Sequence, residues 1–77
     1  MRHYFAKELT MARENAVAGN YSLSVQKYRR VAKMVEKFIS DGCAPKWANK
    51  WNTILQQCTK EMEHAIMLDQ LKTEMQR

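Results

Sequence analysis

Helix breakers are scarce in this sequence: two glycines, Gly19 and Gly42, and one proline, Pro45, among 77 residues. A small sheet protein needs turn signals about every 8–12 residues, so an all-β fold is excluded and long helices are favoured. Cys43 and Cys58 are the only cysteines, too few for the disulfide framework of a secreted mini-protein, and no histidine spacing around them makes a zinc set. Both are expected to be reduced thiols, Cys58 as a small core residue and Cys43 in a loop. His3 and His64 are far apart and have no supporting spacing; both are expected at the surface, His64 beside Glu61 and Glu63. No nucleophile–base–orienter set is visible, and the isolated glycines with no Gly-Lys-Ser or Gly-Lys-Thr make no phosphate-binding loop. This chain is therefore not expected to be an enzyme or to bind a cofactor of its own.

Long apolar runs are missing too. Nowhere are there 18 consecutive apolar residues, and the N-terminus lacks the apolar stretch of a signal peptide, so no membrane insertion is expected and the cytosol or nucleus is the expected location. What is present is the balance of an ordinary folded domain, 45% hydrophobic and 27% charged. A chain this short makes one domain with a thin core, since it buries only about 60% of its unfolded surface.

The pattern predicts three helices over about 4–18, 22–40 and 46–75. In the first, Phe5, Leu9, Ala12 and Ala16 form one stripe at spacings of 4, 3 and 4. Gly19 can take the left-handed conformation that ends it, and Asn20 can cap the second helix. That helix carries the stripe Val25, Tyr28, Ala32, Val35 and Ile39 and ends before Asp41-Gly42-Cys43-Ala44-Pro45, where the proline can open the next one. The third has the stripe Trp51, Ile54 or Leu55, Cys58, Met62, Ala65, and Leu68 or Asp69. Trp51 is in phase with this core stripe, and Trp47 is placed to cap the end of the bundle. The six methionines read as scattered gap-filling. Short connections make neighbouring helices antiparallel, with the third expected in the groove left by the first two: an all-α, antiparallel three-helix bundle.

The net charge of +5 points to an acidic partner, whether nucleic acid, an anionic membrane or an acidic protein surface. The excess lies early: residues 1–50 carry ten Lys/Arg against four Asp/Glu, and residues 51–77 three against four. Lys27, Arg29, Arg30, Lys33 and Lys37 cluster in the second helix, and spacings of 3, 3 and 4 align Lys27, Arg30, Lys33 and Lys37 along one side. Glu36 is the only acid within that strip, and Arg13 of the first helix is placed to join it. Nucleic acid is disfavoured, because neither a recognition-helix motif nor an aromatic platform accompanies the charge.

The run Leu9-Thr10-Met11-Ala12-Arg13-Glu14-Asn15-Ala16-Val17-Ala18-Gly19-Asn20-Tyr21, together with Ser24, Tyr28 and Lys50-Trp51, resembles the N-terminal domain of the katanin catalytic-subunit family. The Ala-Arg-Glu and Gly-Asn-Tyr blocks carry most of the likeness, which runs from about residue 7 to 69; Asn15 stands where that family usually has tyrosine. Its local logic is plain: small Ala12 and Ala16 allow close approach of two helices, Gly19 turns the chain and Tyr21 packs over the corner, as in tetratricopeptide hairpins. The resemblance implies a microtubule-interacting and trafficking (MIT) type bundle. It further implies a linker to an AAA ATPase that forms hexamers, uses ATP and Mg and severs microtubules, in the cytoplasm at microtubules, centrosome or spindle. Two partners are implied for the bundle: acidic tubulin, drawn to Arg13, Lys27, Arg29, Arg30, Lys33 and Lys37, and the WD40-containing regulatory subunit of katanin, docked on apolar residues along the first two helices. The alternative is the MIT domain of a membrane-remodelling ATPase, which takes an amphipathic helix of an ESCRT-type filament subunit.

Overall fold

In a computed structural model the chain is described over residues 2–42 and 45–76, with side chains from Phe5 onward. Cys43 and the side chain of His3 lie outside the described residues. Three helices, α1 (Arg2–Val17), α2 (Tyr21–Ser40) and α3 (Pro45–Met75), make an all-α bundle with no strand among the described residues. Pro45 opens α3, where its missing N–H and fixed φ cost nothing. At about 1.5 Å per residue the 31 residues of α3 account for the longest dimension, 49 Å.

The α1–α2 corner depends on Gly19. Its φ of +84° lets Asn20 N–H donate to Asn15 O at 2.8 Å and Gly19 N–H to Ala16 O at 3.2 Å, the paired bonds that close a helix on a left-handed residue. Asn20 differs from expectation. Its side chain makes no capping bond to α2; the Nδ2 amide turns back to Asn15 Oδ1 at 3.4 Å, and its backbone carbonyl accepts from Ser24 N–H at 3.0 Å. Close approach of α1 and α2 is direct: the buried Ser24 hydroxyl donates to the backbone carbonyl of the buried, small Ala12 at 2.7 Å.

Packing is unequal among the three pairs. α2 lies along both α1 and α3, whereas α1 and α3 approach each other at few points. The backbone of the third helix comes nearest to α2, while its side chains share both core clusters with α1 and α2, and α2 buries a wider arc than one stripe: Ser24, Val25, Tyr28, Val31 and Val35. Val31, absent from the expected stripe, is completely buried, while Ala32 and Ile39 are only half-buried. Two clusters fill the interior. One holds Ala12, Val25, Tyr28 and Ala65; the other holds Val31, Val35 and Cys58 with Trp51 packed against it; Leu9 touches both. Apart from Tyr28, the fully covered apolar residues are small, which is the thin core expected of this length. Burial raises the Cys58 thiol pKa, so it remains a protonated core residue.

The sparse α1–α3 seam is bridged by long side chains meeting at Glu61. Arg13 of α1 donates from Nε to Oε1 at 2.9 Å and from Nη2 to Oε2 at 3.0 Å. Tyr28 of α2 donates its hydroxyl to Oε1 at 2.8 Å, and Gln57, one turn earlier on α3, donates to Oε2 at 3.0 Å. Four donors fill the four lone-pair directions of one carboxylate. These bonds, Arg13's foremost, hold the Glu61 carboxyl at about 2, far below its ordinary 4.5. Tyr28 is pushed up to about 12 by burial and by its bond to Glu61, so it stays a donor at neutral pH.

Replacing Glu61 with alanine leaves the Arg13 and Tyr28 donors without their acceptor and is expected to cost about 1–3 kcal/mol in urea unfolding. Because the folded carboxyl titrates below the unfolded one, its contribution is complete above about pH 4.5 and is lost as pH falls toward 2. The stability gap between the native chain and Glu61→Gln should accordingly narrow across that window. Gly19→Ala meets no atom within 4 Å, so its cost is that of the backbone alone, roughly 1–2 kcal/mol for a left-handed alanine, readable as a lowered Tm.

Candidate functional site

The six cations singled out in the sequence fall into two sets. Arg13 is engaged by Glu61 and faces α3, so it does not extend the α2 strip. Lys27 and Arg30 share an acid supplied by α1: Glu8, itself 5% exposed, lies with Oε2 3.4 Å from Lys27 Nζ and Oε1 3.8 Å from Arg30 Nη1. The side chain of Lys27 is 15% exposed and that of Arg30 is 62% exposed, so Lys27 is drawn into the helix interface while the Arg30 head remains largely wet. Glu8 Oε2 has no hydrogen-bond partner among the described residues; the contact with Lys27 is ionic without an aligned hydrogen bond.

Arg29, Lys33 and Lys37 are different. They are exposed, have no ion-pair partner among the described residues, and succeed one another at i, i+4 and i+8. The strip expected along Lys27, Arg30, Lys33 and Lys37 is thus corrected to a solvent-facing row of Arg29, Lys33 and Lys37, with Arg30 beside it. Lys27 leaves the row because an acid 19 positions away on another helix neutralises it. A trace of this is legible in the sequence: Glu8 shares the core phase of Phe5, Leu9 and Ala12, and a carboxylate at a core position requires a cation opposite.

A second feature lies at the end of the bundle where α1 starts, α2 finishes and α3 begins. A cleft of about 560 Å³ opens there, lined by Phe5, Met34, Val35, Phe38, Trp47, Lys50, Trp51 and Ile54. Trp51 forms its inner wall, edge-on to Phe5 at 5.6 Å between centroids and tilted against Phe38 at 5.0 Å. Trp47 stands 42% exposed at the rim, with the ammonium groups of Lys46 and Lys50 at 5.6 and 5.5 Å from its ring centroid. Helical phase places Trp51 toward the core and Trp47 at the bundle end, but carries no sign of the space between them.

At the opposite end, Lys72 donates to Gly19 O at 3.0 Å and stands 5.8 Å over the half-buried Tyr21 ring, pinning α3 to the α1–α2 corner. Exposed large apolar residues are spread more widely than expected. α1 and α2 present Val17, Leu23 and Phe38, whereas α3 presents Trp47, Met67, Leu71 and Met75. His64 is exposed, and no group of three or more His, Cys, Asp or Glu side chains converges among the described residues. The arrangement offers surfaces for recognition: a cationic row on α2 and an aromatic cleft with lysines at its mouth.

Comparison with known proteins gives these surfaces a context. The family model for the Katanin p60 subunit A1 MIT domain matches residues 6–66, a span that contains Glu8, Arg13, the Gly19 corner, the cationic row, both tryptophans and Glu61. The Katanin p60 ATPase-containing subunit A1 of Strongylocentrotus purpuratus is 35% identical over 54 residues, which cover 70% of this chain and 10% of that protein. No solved structure matches significantly. A three-helix bundle, a tight corner between its first two helices and a family match across most of its length lead to one conclusion: this chain belongs to the family of katanin p60 MIT domains.

Proposed function

We propose that the chain is the non-catalytic recognition domain of a microtubule-severing AAA ATPase, and that it binds the acidic surface of tubulin through Arg29, Lys33 and Lys37, with Arg30 assisting. The observation that carries this reading is the exposed row at i, i+4 and i+8 on α2, whose cations form no ion pair within 4 Å among the described residues. Tubulin exposes glutamate-rich tails, and such a row matches a flexible anionic chain without demanding a fixed geometry.

Magnitudes set the mode of binding. Each exposed ion pair is worth about 0–1 kcal/mol, so one domain holds an acidic tail weakly. Six copies in a hexameric parent multiply weak contacts into useful avidity, and screening makes that avidity sensitive to salt. ATP and Mg belong to the ATPase part of such a parent, which acts in the cytoplasm at microtubules. The apolar residues left exposed beside the row, Leu23 and Phe38, support docking of the WD40-containing regulatory subunit on the same bundle.

Cosedimentation with microtubules in rising salt tests the electrostatic part. Reversing Lys33 and Lys37 to glutamate is expected to weaken binding by about tenfold or more at low salt, from lost attraction and added repulsion. Reversing Glu36, which adds charge to the same face, should strengthen it. Unchanged pelleting of the Lys33/Lys37 double reversal would remove the row as the binding surface.

A further inference from the structure

Lys27 is too covered by α1 to serve as a contact for a partner, yet it decides what its neighbour can do. We propose that Glu8 and Lys27 act together as positioning residues for Arg30: Lys27 stays behind as the counter-ion of Glu8, which leaves Arg30 free to pass to a glutamate of an acidic partner. This inference rests on the reading of α2 as the surface for an acidic tail, and it adds two residues, one of them on α1, that set how strongly that surface binds.

Position brings Arg30 into the site. Arg30, Lys33 and Lys37 follow one another at i, i+3 and i+7, so the Arg30 guanidinium borders the exposed row. Its side chain is 62% exposed and its contact with Glu8 is loose, Nη1 to Oε1 at 3.8 Å, outside hydrogen-bond range. Lys27 is held closer, at 3.4 Å, and its side chain is only 15% exposed. Among the described residues Glu8 is the only acid with two cations in ionic reach, one covered and one wet.

Charge decides which cation can leave. A carboxylate as buried as Glu8 needs a cation beside it, because an uncompensated charge in a helix interface is costly. With Lys27 in place, Arg30 can turn to a partner's carboxylate while Glu8 stays neutralised. Without Lys27, Arg30 becomes the sole counter-ion of Glu8, and the binding surface loses a contact although no surface residue has changed. A purely structural ion pair requires one cation; the second, exposed one is available for exchange.

The test is a titration of the chain with a ten-residue polyglutamate peptide at low salt, run beside cosedimentation with microtubules. Lys27→Met is expected to weaken peptide binding about threefold, close to the loss from Arg30→Gln. Glu8→Gln combined with Lys27→Met removes the buried pair together and should restore native binding. In an Arg30→Gln background, Lys27→Met should change nothing further. Glu8→Gln alone leaves both cations unclaimed and should strengthen binding about twofold, so a second variant carries the test if Lys27→Met unfolds. Circular dichroism melting checks that each variant is folded at the temperature of the titration. A structural role alone would weaken binding equally with and without Arg30, and removing the second charge would not rescue it. The proposal is overturned by a native chain that does not bind the peptide, by unchanged binding of Lys27→Met or Glu8→Gln, by no recovery in the Glu8/Lys27 double variant, or by an equal further loss in the Arg30→Gln background. If the peptide shows the expected order while microtubules fail to pellet the native chain, the tubulin reading falls and this one stands; if microtubules pellet the native chain and Lys27→Met alike, the reverse holds.

Discussion

The backbones of α1 and α3 come close at few points, and the polar contact that ties both to α2 is the Glu61 carboxylate. Apolar side chains of all three helices share the interior, Ala12 with Ala65 in one cluster and Phe5 and Leu9 against the cluster of Cys58 in the other, so burial draws the helices together and this polar contact orients them. Arg13 reaches across from α1, Tyr28 approaches from α2, and Gln57 supports from the same helix, so that one acceptor group receives a donor from every element. A charge-assisted, bidentate contact is directional where apolar packing is not. With a core built mainly of Ala, Val and Cys side chains, direction matters: small residues allow close approach but also leave several ways to slide.

The same economy governs the cations. A basic domain can use an arginine or lysine internally or present it to a partner, and here the division tracks the helix faces. Arg13 and Lys27, toward neighbouring helices, are matched to Glu61 and Glu8; Arg29, Lys33 and Lys37, on the outward side of α2, are not. Arg30 lies between the two, within ionic reach of Glu8 yet mostly in solvent. The net charge of +5 therefore understates how localised the available charge is.

Much of the bundle is legible in the sequence because its causes are local. The 3,4 spacing of Phe5, Leu9 and Ala12 and of Val25, Tyr28 and Val35 predicts helices, Gly19 predicts the corner, and Pro45 predicts the opening of α3. The likeness to the katanin family is legible on the same basis, since the Ala-Arg-Glu and Gly-Asn-Tyr blocks sit at the two ends of that corner. Ser24 is not recognisable there as a buried donor, because a serine's role depends on which backbone carbonyl lies opposite. Val31 escapes the single-stripe pattern because a helix packed on two sides buries more than one stripe.

What the order of residues determined by itself is the number of helices, their phases, the turn that joins the first two and the surplus of positive charge, all of which depend on neighbours within a turn or two along the chain. Only the tertiary structure decided which charges remain for a partner and where the core stays open. Lys27 meets Glu8 across 19 residues and Arg13 meets Glu61 across 48, and the cleft is bounded by residues as far apart as Phe5 and Ile54. Ion pairs and cavities depend on distances through space, and helical periodicity predicts a face without saying what stands opposite it.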